Sequence, residues 1–334
     1  MTTSDPSAPA HALPADGTAP HQAGAGNGAG AAAALPEDSP DSRFFVDSRG
    51  IRIDVWEWGA VESAEFLIVG AHGFLDSAAF LAPLARLLVR DSRVAVRVLS
   101  FAGHGDSSWA DTYDWYDHTI DTLAVVRGAR ESCPGVPLFV MGHSFGGVQM
   151  LEVAATLGPD IAGVVNLDAV YDAARGGPAD MLGSMRQLLP QERETRPSRV
   201  YASVDDLVKR RAANNPRLSL DTLRYLIPSL ASPMPGGGWA WKTDPLLMGW
   251  VRPWHLAGAA PRDAIATMRA LDVPVLLISG AAEDHPLVRG PYPGDAALRI
   301  PGIIHTRLED AGHYVHLEQT AAVAAAIEEF MGCR

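Results

Sequence analysis

The sequence predicts an α/β fold with a mostly parallel, doubly wound sheet and a helical insertion. Short apolar, β-rich runs alternate with amphipathic runs from "EFLIVGAHG" to "IAGVVNLDAV", a pattern typical of a parallel sheet with helices on both faces. This alternation stops after Val170 and resumes with "VPVLLISG". A turn of the form G-x-S-x-G lies between an apolar run and a helical run. Together these features place the chain in the α/β class.

Composition narrows the class of protein further. The chain has 334 residues, of which 47% are hydrophobic and 20% charged, values typical of a globular protein. Its formal net charge of −12 indicates that nucleic acid is not a partner. Two cysteines provide neither a disulfide framework nor a zinc-site spacing. Without a long apolar run or a basic leader, the sequence predicts no membrane span and a cytoplasmic location.

Three regions follow from the local composition. Residues 1–41 consist mainly of Ala, Gly, Pro, Ser and Thr, which bury too little apolar surface to offset ordering entropy, so we expect a disordered tail. Residues 42–170 and 262–334 form the predicted core. Residues 171–261 form a predicted helical cap, inserted between two strands of the sheet. Such a cap would lie over the carboxyl ends of the strands, where open α/β sheets bind ligands.

The first elements are read from hydrophobic periodicity. Two alternating runs flank "DSRG" and predict a β-hairpin. "EFLIVGAHG" and "VAVRVLSFAGHG" each predict a strand followed by a loop, whereas "SAAFLAPLARLLVR" and "YDHTIDTLAVVRGA" have helical spacing. Near the end of the chain, "HTRLEDAGH" predicts a last strand and "HLEQTAAVAAAIEEFM" predicts one final helix.

The turn "GHSFG" carries the first candidate functional residue, Ser144. "VPLFVMG" before it reads as a buried strand, and "FGGVQMLEVAATLG" after it reads as a helix that stops at a glycine. A strand-to-helix turn this tight requires strained backbone at the serine and small residues at Gly142 and Gly146. The serine hydroxyl would then be presented at the carboxyl end of the sheet.

A serine hydroxyl becomes a strong nucleophile only when a base accepts its proton and an acid orients that base. The turn therefore predicts a downstream carboxylate and histidine, each after a later strand. "VLLISGAAEDHP" offers Glu283 and Asp284, and "TRLEDAGHYVHLE" offers His313. Asp168 after "VVNL" is a further candidate for the carboxylate.

Five ordered motifs give a specific resemblance: "AHGFLDSAAF", "SFAGHGDSS", "GHSFGG", "ISGAAEDHP" and "AGHYVHLEQ". Over roughly residues 43–334 the chain resembles the α/β-hydrolase fold superfamily, and within it the capped serine hydrolases. It looks most like the serine hydrolase-like branch, related in form to epoxide hydrolases and haloalkane dehalogenases. Those two relatives use an aspartate nucleophile, so Ser144 speaks against both of their reactions.

The resemblance assigns roles to individual positions. It implies a Ser144–His313–Asp284 triad, with Glu283 or Asp168 as alternatives for the acid. It also implies an oxyanion hole formed by the backbone N–H groups of two residues. These are Phe74, which follows His72 and Gly73, and Phe145, which follows the nucleophile.

The sequence and the resemblance together predict hydrolysis of an ester, thioester or lactone of an apolar small molecule through an acyl-enzyme. His143, Trp239 and Trp241 are candidate substrate contacts, although the tryptophans could instead hold the cap together. No cofactor and no metal is implied. Alternatives that keep the triad are an acyltransferase, a cyclase or a carbon–carbon bond hydrolase, and a non-catalytic ligand-binding protein is a third possibility. The oligomeric state is left open.

Overall fold

The computed structural model describes residues 38–170, 198–250, 264–282 and 300–333. These residues contain an eight-stranded sheet and a separate pair of short strands. In chain order the sheet strands are β1 (Ser42–Ser48), β2 (Ile51–Trp58), β3 (Phe66–Ala71), β4 (Val94–Leu99), β5 (Leu138–His143), β6 (Gly163–Leu167), β9 (Val275–Gly280) and β10 (Ile303–Leu308), while β7 (Ala231–Pro233) and β8 (Trp239–Trp241) form the separate pair.

The described helices alternate with these strands as the sequence predicts. They are α1 (Ala82–Leu88), α2 (Trp115–Ser132), α3 (Phe145–Leu157), α4 (Val204–Ala212), α5 (Leu220–Leu230), α6 (Pro245–Trp250), α7 (Ala264–Ala270), α8 (Val315–Glu318) and α9 (Thr320–Met331). None of the helices in the described ranges combines the length and the apolar character needed to cross a bilayer.

The sheet has the order β1-β2-β4-β3-β5-β6-β9-β10. The first two strands run antiparallel to their neighbours, and every pairing from β4 to β10 is parallel. The hairpin between β1 and β2 turns through Arg49 and Gly50, whose φ angles are 52° and 79°. Two central residues with positive φ give a turn whose twist suits a two-residue hairpin.

Helices cover both faces of the sheet, which confirms the doubly wound architecture. On one face, α2, α3 and α7 pack their apolar side chains on the strands, for example Val126, Leu151 and Met268. On the other face, α1 and α9 pack against the strands through residues such as Leu84 and Ile327. The inner parallel strands β3 to β6 and β9 are therefore buried on both sides, which explains their largely apolar sequences, whereas the edge strand β10 is partly exposed and contains His305, Thr306 and Arg307.

The described part of the insertion, residues 198–250, contains α4 to α6 and the β7–β8 pair. Helices α4 and α5 share an apolar cluster that includes Leu207, Leu223 and Ile227 and packs on Phe80 of the core. Polar contacts between the insertion and the core include an ion pair of Lys242 with Asp106 at 2.6 Å. The remaining residues of the predicted cap lie outside the described residues, and the cap boundaries stay a prediction.

The last helix differs from its prediction. The sequence pattern indicates one continuous helix, whereas the structure breaks it at Gln319, with φ −135° and ψ 51°, between α8 and α9. The carboxylate of Glu318 turns back to accept the N–H of Gly312 at 2.9 Å and a guanidinium N–H of Arg217 at 2.6 Å. These bonds fix the short helix α8 against the loop before it, so the chain restarts its helix at Thr320.

The predicted tail, residues 1–41, overlaps the described residues at its last four positions. The carbonyl of Asp38 accepts the indole N–H of Trp58 at 2.9 Å. The carboxylate of Asp41 accepts the N–H of Gly59 at 2.8 Å and lies 3.0 Å from Arg86. Residues 38–41 therefore contact the core, and residues 1–37 lie outside the described residues.

Candidate active site

Ser144 lies on a tight turn between β5 and α3. Its φ of 51° and ψ of −116° lie in a region that a residue with a side chain rarely adopts, which confirms the strained turn expected from the sequence. A Cβ atom added at Gly142 would collide with the carbonyl of Gly146, on the opposite limb of the turn. One added at Gly146 would collide with the end of β3 at Ala71 and His72. The glycines therefore let the turn close and approach the neighbouring strand.

Backbone hydrogen bonds fix this turn to the adjacent strands. The N–H of Ser144 donates to the carbonyl of Leu167 at 3.1 Å, and the N–H of Gly146 donates to that of His72 at 3.1 Å. Leu167 is the last residue of β6, and His72 directly follows β3. The serine is therefore held at the carboxyl edge of the sheet and is half-buried.

His313 lies at the same edge, in the loop between β10 and α8. Its Nδ1 atom is 2.8 Å from Oδ2 of Asp168, within hydrogen-bond distance. The imidazole is 10% exposed and the carboxylate 3% exposed, so water screens their interaction only weakly. The backbone carbonyl of His313 lies 2.9 Å from Nε2 of His143, the residue before Ser144. The loop with His313 and the turn with Ser144 are thus in direct contact.

A second strained turn shapes the position of Asp168. This residue follows β6 with a φ of 55°. The side chain of Asn166 closes the turn, because its oxygen accepts the N–H of Ala169 at 2.8 Å and its NH₂ group donates to the carbonyl of Ala169 at 3.2 Å. The N–H of Asp168 donates to the carbonyl of Ile278 at 2.8 Å. The carboxylate is therefore anchored by β6 and β9 together.

The end of β9 brings the two partners together at Gly280. The N–H of Gly280 donates to Oδ1 of Asp168 at 3.0 Å, which leaves Oδ2 to face His313. A Cβ atom at this position would collide with the carbonyl of Gly312, in the loop that carries His313. Only glycine allows β9 and this loop to pass so closely.

The loop after β3 lies beside the serine turn. The rings of Phe74 and Phe145 meet edge to face, with centroids 5.9 Å apart. Phe145 is the first residue of α3, where the helix dipole favours negative charge. Leu75, next to Phe74, has a φ of 64°. The two residues expected to form the oxyanion hole therefore lie side by side, Phe74 in the loop after β3 and Phe145 at the start of α3.

Buried histidines support these loops as neutral groups. Nε2 of His72 accepts the N–H of Phe101 at 3.1 Å, and its Nδ1 lies 2.7 Å from the carbonyl of Gly73. Desolvation by burial lowers the pKa of His72 well below its ordinary value. Burial likewise lowers the pKa of His104 to about 4 and that of His316 to about 3. These side chains therefore act as uncharged packing groups.

The remaining predicted site residues have varied positions. Glu283 and Asp284 lie outside the described residues. His143 is 1% exposed and packs on His313, with ring centroids 4.7 Å apart. Trp239 and Trp241 are half-buried within the apolar cluster of the insertion. A role of these three residues in substrate binding stays a prediction. The part of the chain that the structure describes contains no group of three His, Cys, Asp or Glu arranged to hold a metal ion.

The sequence motifs favour Asp284 as the partner of His313, although the sequence also contains a signal for a turn at Asp168. The acid directly follows an apolar strand, and Asn166 precedes it by two positions in "VVNLDAV". Asn is a residue that closes turns through its own side chain. The sequence does not show that the end of β9 and the His313 loop pass close to each other. This close approach brings the carboxylate of Asp168 next to the imidazole of His313.

Comparison with known proteins decides the family. Residues 68–326 match the model of the alpha/beta hydrolase family. The chain belongs to this family. The match confirms the family expected from the five sequence motifs.

One similar curated protein is protein phosphatase methylesterase 1 of Cryptococcus neoformans var. neoformans serotype D. It is 26% identical over 291 residues, covering 79% of this alpha/beta hydrolase and 63% of the relative. The chain thus spans less than two thirds of the length of this relative.

Solved structures share the alpha/beta hydrolase fold. A thioesterase domain from the curacin biosynthetic pathway superposes with a TM-score of 0.70 at 19% identity, covering 86% of this chain and 98% of that domain. E-2-(acetamidomethylene)succinate hydrolase superposes with a TM-score of 0.67 at 21% identity, covering 87% and 99%. At this level of identity the likeness concerns the fold alone.

Proposed function

We propose that this alpha/beta hydrolase is a serine-dependent carboxylic ester hydrolase. Ser144 is the nucleophile, His313 the general base and Asp168 the acid that orients the base. The observation that carries the proposal is the 2.8 Å contact of His313 with Asp168, beside a serine on a strained strand-to-helix turn. This assignment supplies the nucleophile, the base and the orienting acid that serine hydrolysis requires.

The proposed reaction has two halves. The Oγ atom of Ser144 attacks the carbonyl carbon of the ester while Nε2 of His313 accepts its proton. The tetrahedral intermediate expels the alcohol, to which His313 returns the proton, and an acyl-enzyme remains. Water then attacks the acyl group, again with His313 as the base, and the carboxylic acid leaves from regenerated Ser144.

Asp168 serves this cycle through Nδ1 of His313. A carboxylate at Nδ1 keeps the proton there, so Nε2 is the basic nitrogen, and it stabilises the imidazolium that forms in each half. We propose Asp168 for this role in place of Asp284. Among the residues that the structure describes, the carboxylate of Asp168 lies within hydrogen-bond distance of Nδ1, where it can accept the N–H.

The oxyanion hole completes the proposal. The N–H groups of Phe74 and Phe145 would stabilise the negative oxygen of the tetrahedral intermediate. Loss of one such donor in a serine protease costs roughly 2.7–4 kcal/mol. The position of Phe145 at the start of α3 adds the favourable end of a helix dipole.

An ester is the proposed substrate class, ahead of a thioester or lactone. The name of the fungal relative, a methylesterase, supports the choice of a carboxylic ester. We propose an apolar small molecule on the acyl side, because the insertion contributes an apolar cluster next to Phe80 and Tyr314.

The test uses p-nitrophenyl acetate, butyrate and octanoate with the wild-type protein and the Ser144→Ala variant. We expect hydrolysis by the wild type and a loss of kcat on the order of 10⁶ in the variant. Ser63→Ala, which changes an exposed serine in the short 3₁₀ helix Val61–Ser63 between β2 and β3, is the matched control and should retain full activity. Equal activity of Ser144→Ala and Ser63→Ala would reject the proposal.

A further inference from the structure

We infer that Asp76 and Arg211 form a positioning pair, through which the insertion keeps the oxyanion loop and the His313 loop in their reactive arrangement. The oxyanion loop comprises residues 72–77, and the His313 loop comprises residues 309–314. The inference rests on the proposed function, because it concerns the same site. Neither residue contacts a reacting atom in the proposed reaction, so both are positioning residues.

Asp76 lies at the base of the oxyanion loop and is fully buried. Its N–H donates to the carbonyl of Gly73 at 3.1 Å, which closes the turn around Phe74. Its Oδ1 atom accepts a hydrogen bond from Arg211 and lies 3.4 Å from the hydroxyl of Tyr314. Its carboxylate therefore connects the loop that carries Phe74 with groups from two other parts of the chain.

The second oxygen of Asp76 faces the serine turn. Oδ2 lies 3.9 Å from Nδ1 of His143, the residue that precedes Ser144. The other ring nitrogen of His143 lies 2.9 Å from the backbone carbonyl of His313. One buried carboxylate is thus next to the loops that carry the proposed oxyanion hole, nucleophile and base.

Arg211 reaches this carboxylate from the last turn of α4 in the insertion. One terminal nitrogen of its guanidinium donates to Asp76 and, at 3.1 Å, to the hydroxyl of Tyr314, and the other lies 3.5 Å from the carbonyl of Leu75. The guanidinium also lies 5.2 Å from the ring centroid of Phe80. A planar donor group of this kind binds several acceptors in one fixed geometry.

Burial makes this pair different from a surface ion pair. Two charges inside the protein are tolerated only while they remain paired and hydrogen-bonded. The oxyanion loop cannot move away from α4 without separating Asp76 from Arg211. Tyr314 cannot move away without losing its contacts with both residues of the pair. The positions of Phe74 and His313 are therefore coupled to the docking of the insertion.

The insertion has another ionic contact with the core, which supplies a control. Lys242 pairs at 2.6 Å with Asp106, a residue of the loop after β4. The side chain of Lys242 is 20% exposed and that of Asp106 is 36% exposed. A residue that merely attached the insertion to the core would behave like Lys242. Arg210, the exposed neighbour of Arg211 on α4, is a control for the loss of one arginine.

The experiment compares wild type, Arg211→Met, Asp76→Asn and the double variant, with Arg210→Met and Lys242→Met as controls. Each protein is titrated with a fluorophosphonate to count functional sites, and kcat and KM for p-nitrophenyl butyrate are given per titrated site. A loss of folded protein lowers the number of sites, whereas a displaced loop lowers kcat at each site. Hydrogen exchange of peptides covering residues 72–78 and 311–316 is measured in parallel.

We expect each single variant to lower kcat per site by about tenfold or more with KM nearly unchanged, because small displacements of catalytic groups are costly. The kcat per site of the double variant should be no lower than that of the less active single variant, since each single variant already removes the interaction between Asp76 and Arg211. Exchange should become faster in both peptides, while both controls resemble the wild type. If a single variant fails to fold, the double variant, which contains neither charge, must show the loss in kcat.

Two results would overturn the inference: wild-type kcat per site in all variants with the pair removed, or losses that multiply in the double variant. Failure of the proposed function looks different, because the wild type would then neither hydrolyse the ester nor bind the fluorophosphonate at Ser144. In that case the hydrogen-exchange comparison decides the inference alone, and unchanged exchange in both peptides would reject it.

Discussion

Oδ2 of Asp168 lies 2.8 Å from Nδ1 of His313, although 145 residues separate them in the chain. The other carboxylate oxygen is occupied by the N–H of Gly280. The carboxylate of Asp168 is thus oriented by one contact with the backbone at the end of β9 and one with the imidazole in the loop after β10.

Asp168→Asn should lower kcat for ester hydrolysis by about 10³ to 10⁴, because the amide no longer stabilises the imidazolium and favours the wrong tautomer. The substitution preserves the shape of the side chain, so the melting temperature should change little. Steady-state kinetics with p-nitrophenyl butyrate at neutral pH measure the effect.

Asp284→Asn and Glu283→Gln are the matched controls for this prediction. Both residues were candidates for the acid on sequence grounds, and each variant should lose less than about tenfold in kcat. A crippled Asp284→Asn enzyme beside an active Asp168→Asn enzyme would return the role to Asp284.

Gly280→Ala should impair both stability and catalysis. The added methyl group would collide with the backbone carbonyl of Gly312, and overpacking of this kind costs about 1–3 kcal/mol. Displacement of the adjacent His313 loop should lower kcat by about 10². Gly128→Ala is the control, because a Cβ atom there meets nothing within 4 Å, and this change in α2 should leave kcat intact. Equal kcat in the two variants would contradict the proposed role of this close approach.

Asp76 should give the protein an unusual dependence of stability on pH. Burial raises the pKa of Asp76 to about 6 from 3.8, although Arg211 opposes the change. The folded state therefore binds more protons than the unfolded state between these values, and the free energy of unfolding falls as pH rises through this window. Asp76→Asn removes the titration, so its free energy of unfolding relative to wild type should rise by about 2 kcal/mol from pH 4 to pH 7.

Urea unfolding at several pH values measures this difference, and Asp106→Asn is the control. Arg211, Tyr314, His143 and His313 face the Asp76 carboxylate, and all four remain in the variant. Lys242 and Arg43 lower the pKa of Asp106 despite its partial burial, so its contribution is lost only below the usual range of a carboxyl. If the free energies of unfolding of wild type and Asp76→Asn differ by the same amount at every pH, the carboxylate of Asp76 is not held in a desolvated state.

Much of the site could be predicted from sequence because it depends on local backbone geometry. The turn at Ser144 is specified within five residues, since Gly142 and Gly146 are the positions where a side chain would collide. The strands and most helices followed from periodicity, and the fold class with them. His313 followed from its place after the last strand.

The acid and the buried pair depend on contacts between distant segments, which periodicity does not report. Asp168 and Asp284 both follow strands whose carboxyl ends lie at one edge, so the sequence alone does not show that the Asp168 carboxylate contacts His313. Arg211 looks like one of several charged residues on an exposed helix, "VDDLVKRRA". Only the packing of α4 on the loop after β3 distinguishes it from Arg210.

Two truncations of the amino-terminal segment test whether residues 38–41 stabilise the core. Removal of residues 1–37, which are poor in large apolar residues, should leave the melting temperature unchanged. Removal of residues 1–41 should lower it, because Trp58, Gly59 and Arg86 lose partners. Differential scanning calorimetry of the two truncated proteins makes the comparison, and an equal melting temperature for both would show that residues 38–41 contribute nothing.

The central claim is that Ser144 is the nucleophile, and covalent trapping tests it most directly. The wild-type protein is treated with a fluorophosphonate, and its peptides are analysed by mass spectrometry while hydrolysis of p-nitrophenyl butyrate is followed. We predict one adduct on the Ser144 peptide, which forms in step with the loss of hydrolysis and is absent from Ser144→Ala. An adduct on another residue, or full hydrolysis by the Ser144→Ala protein, would contradict the account.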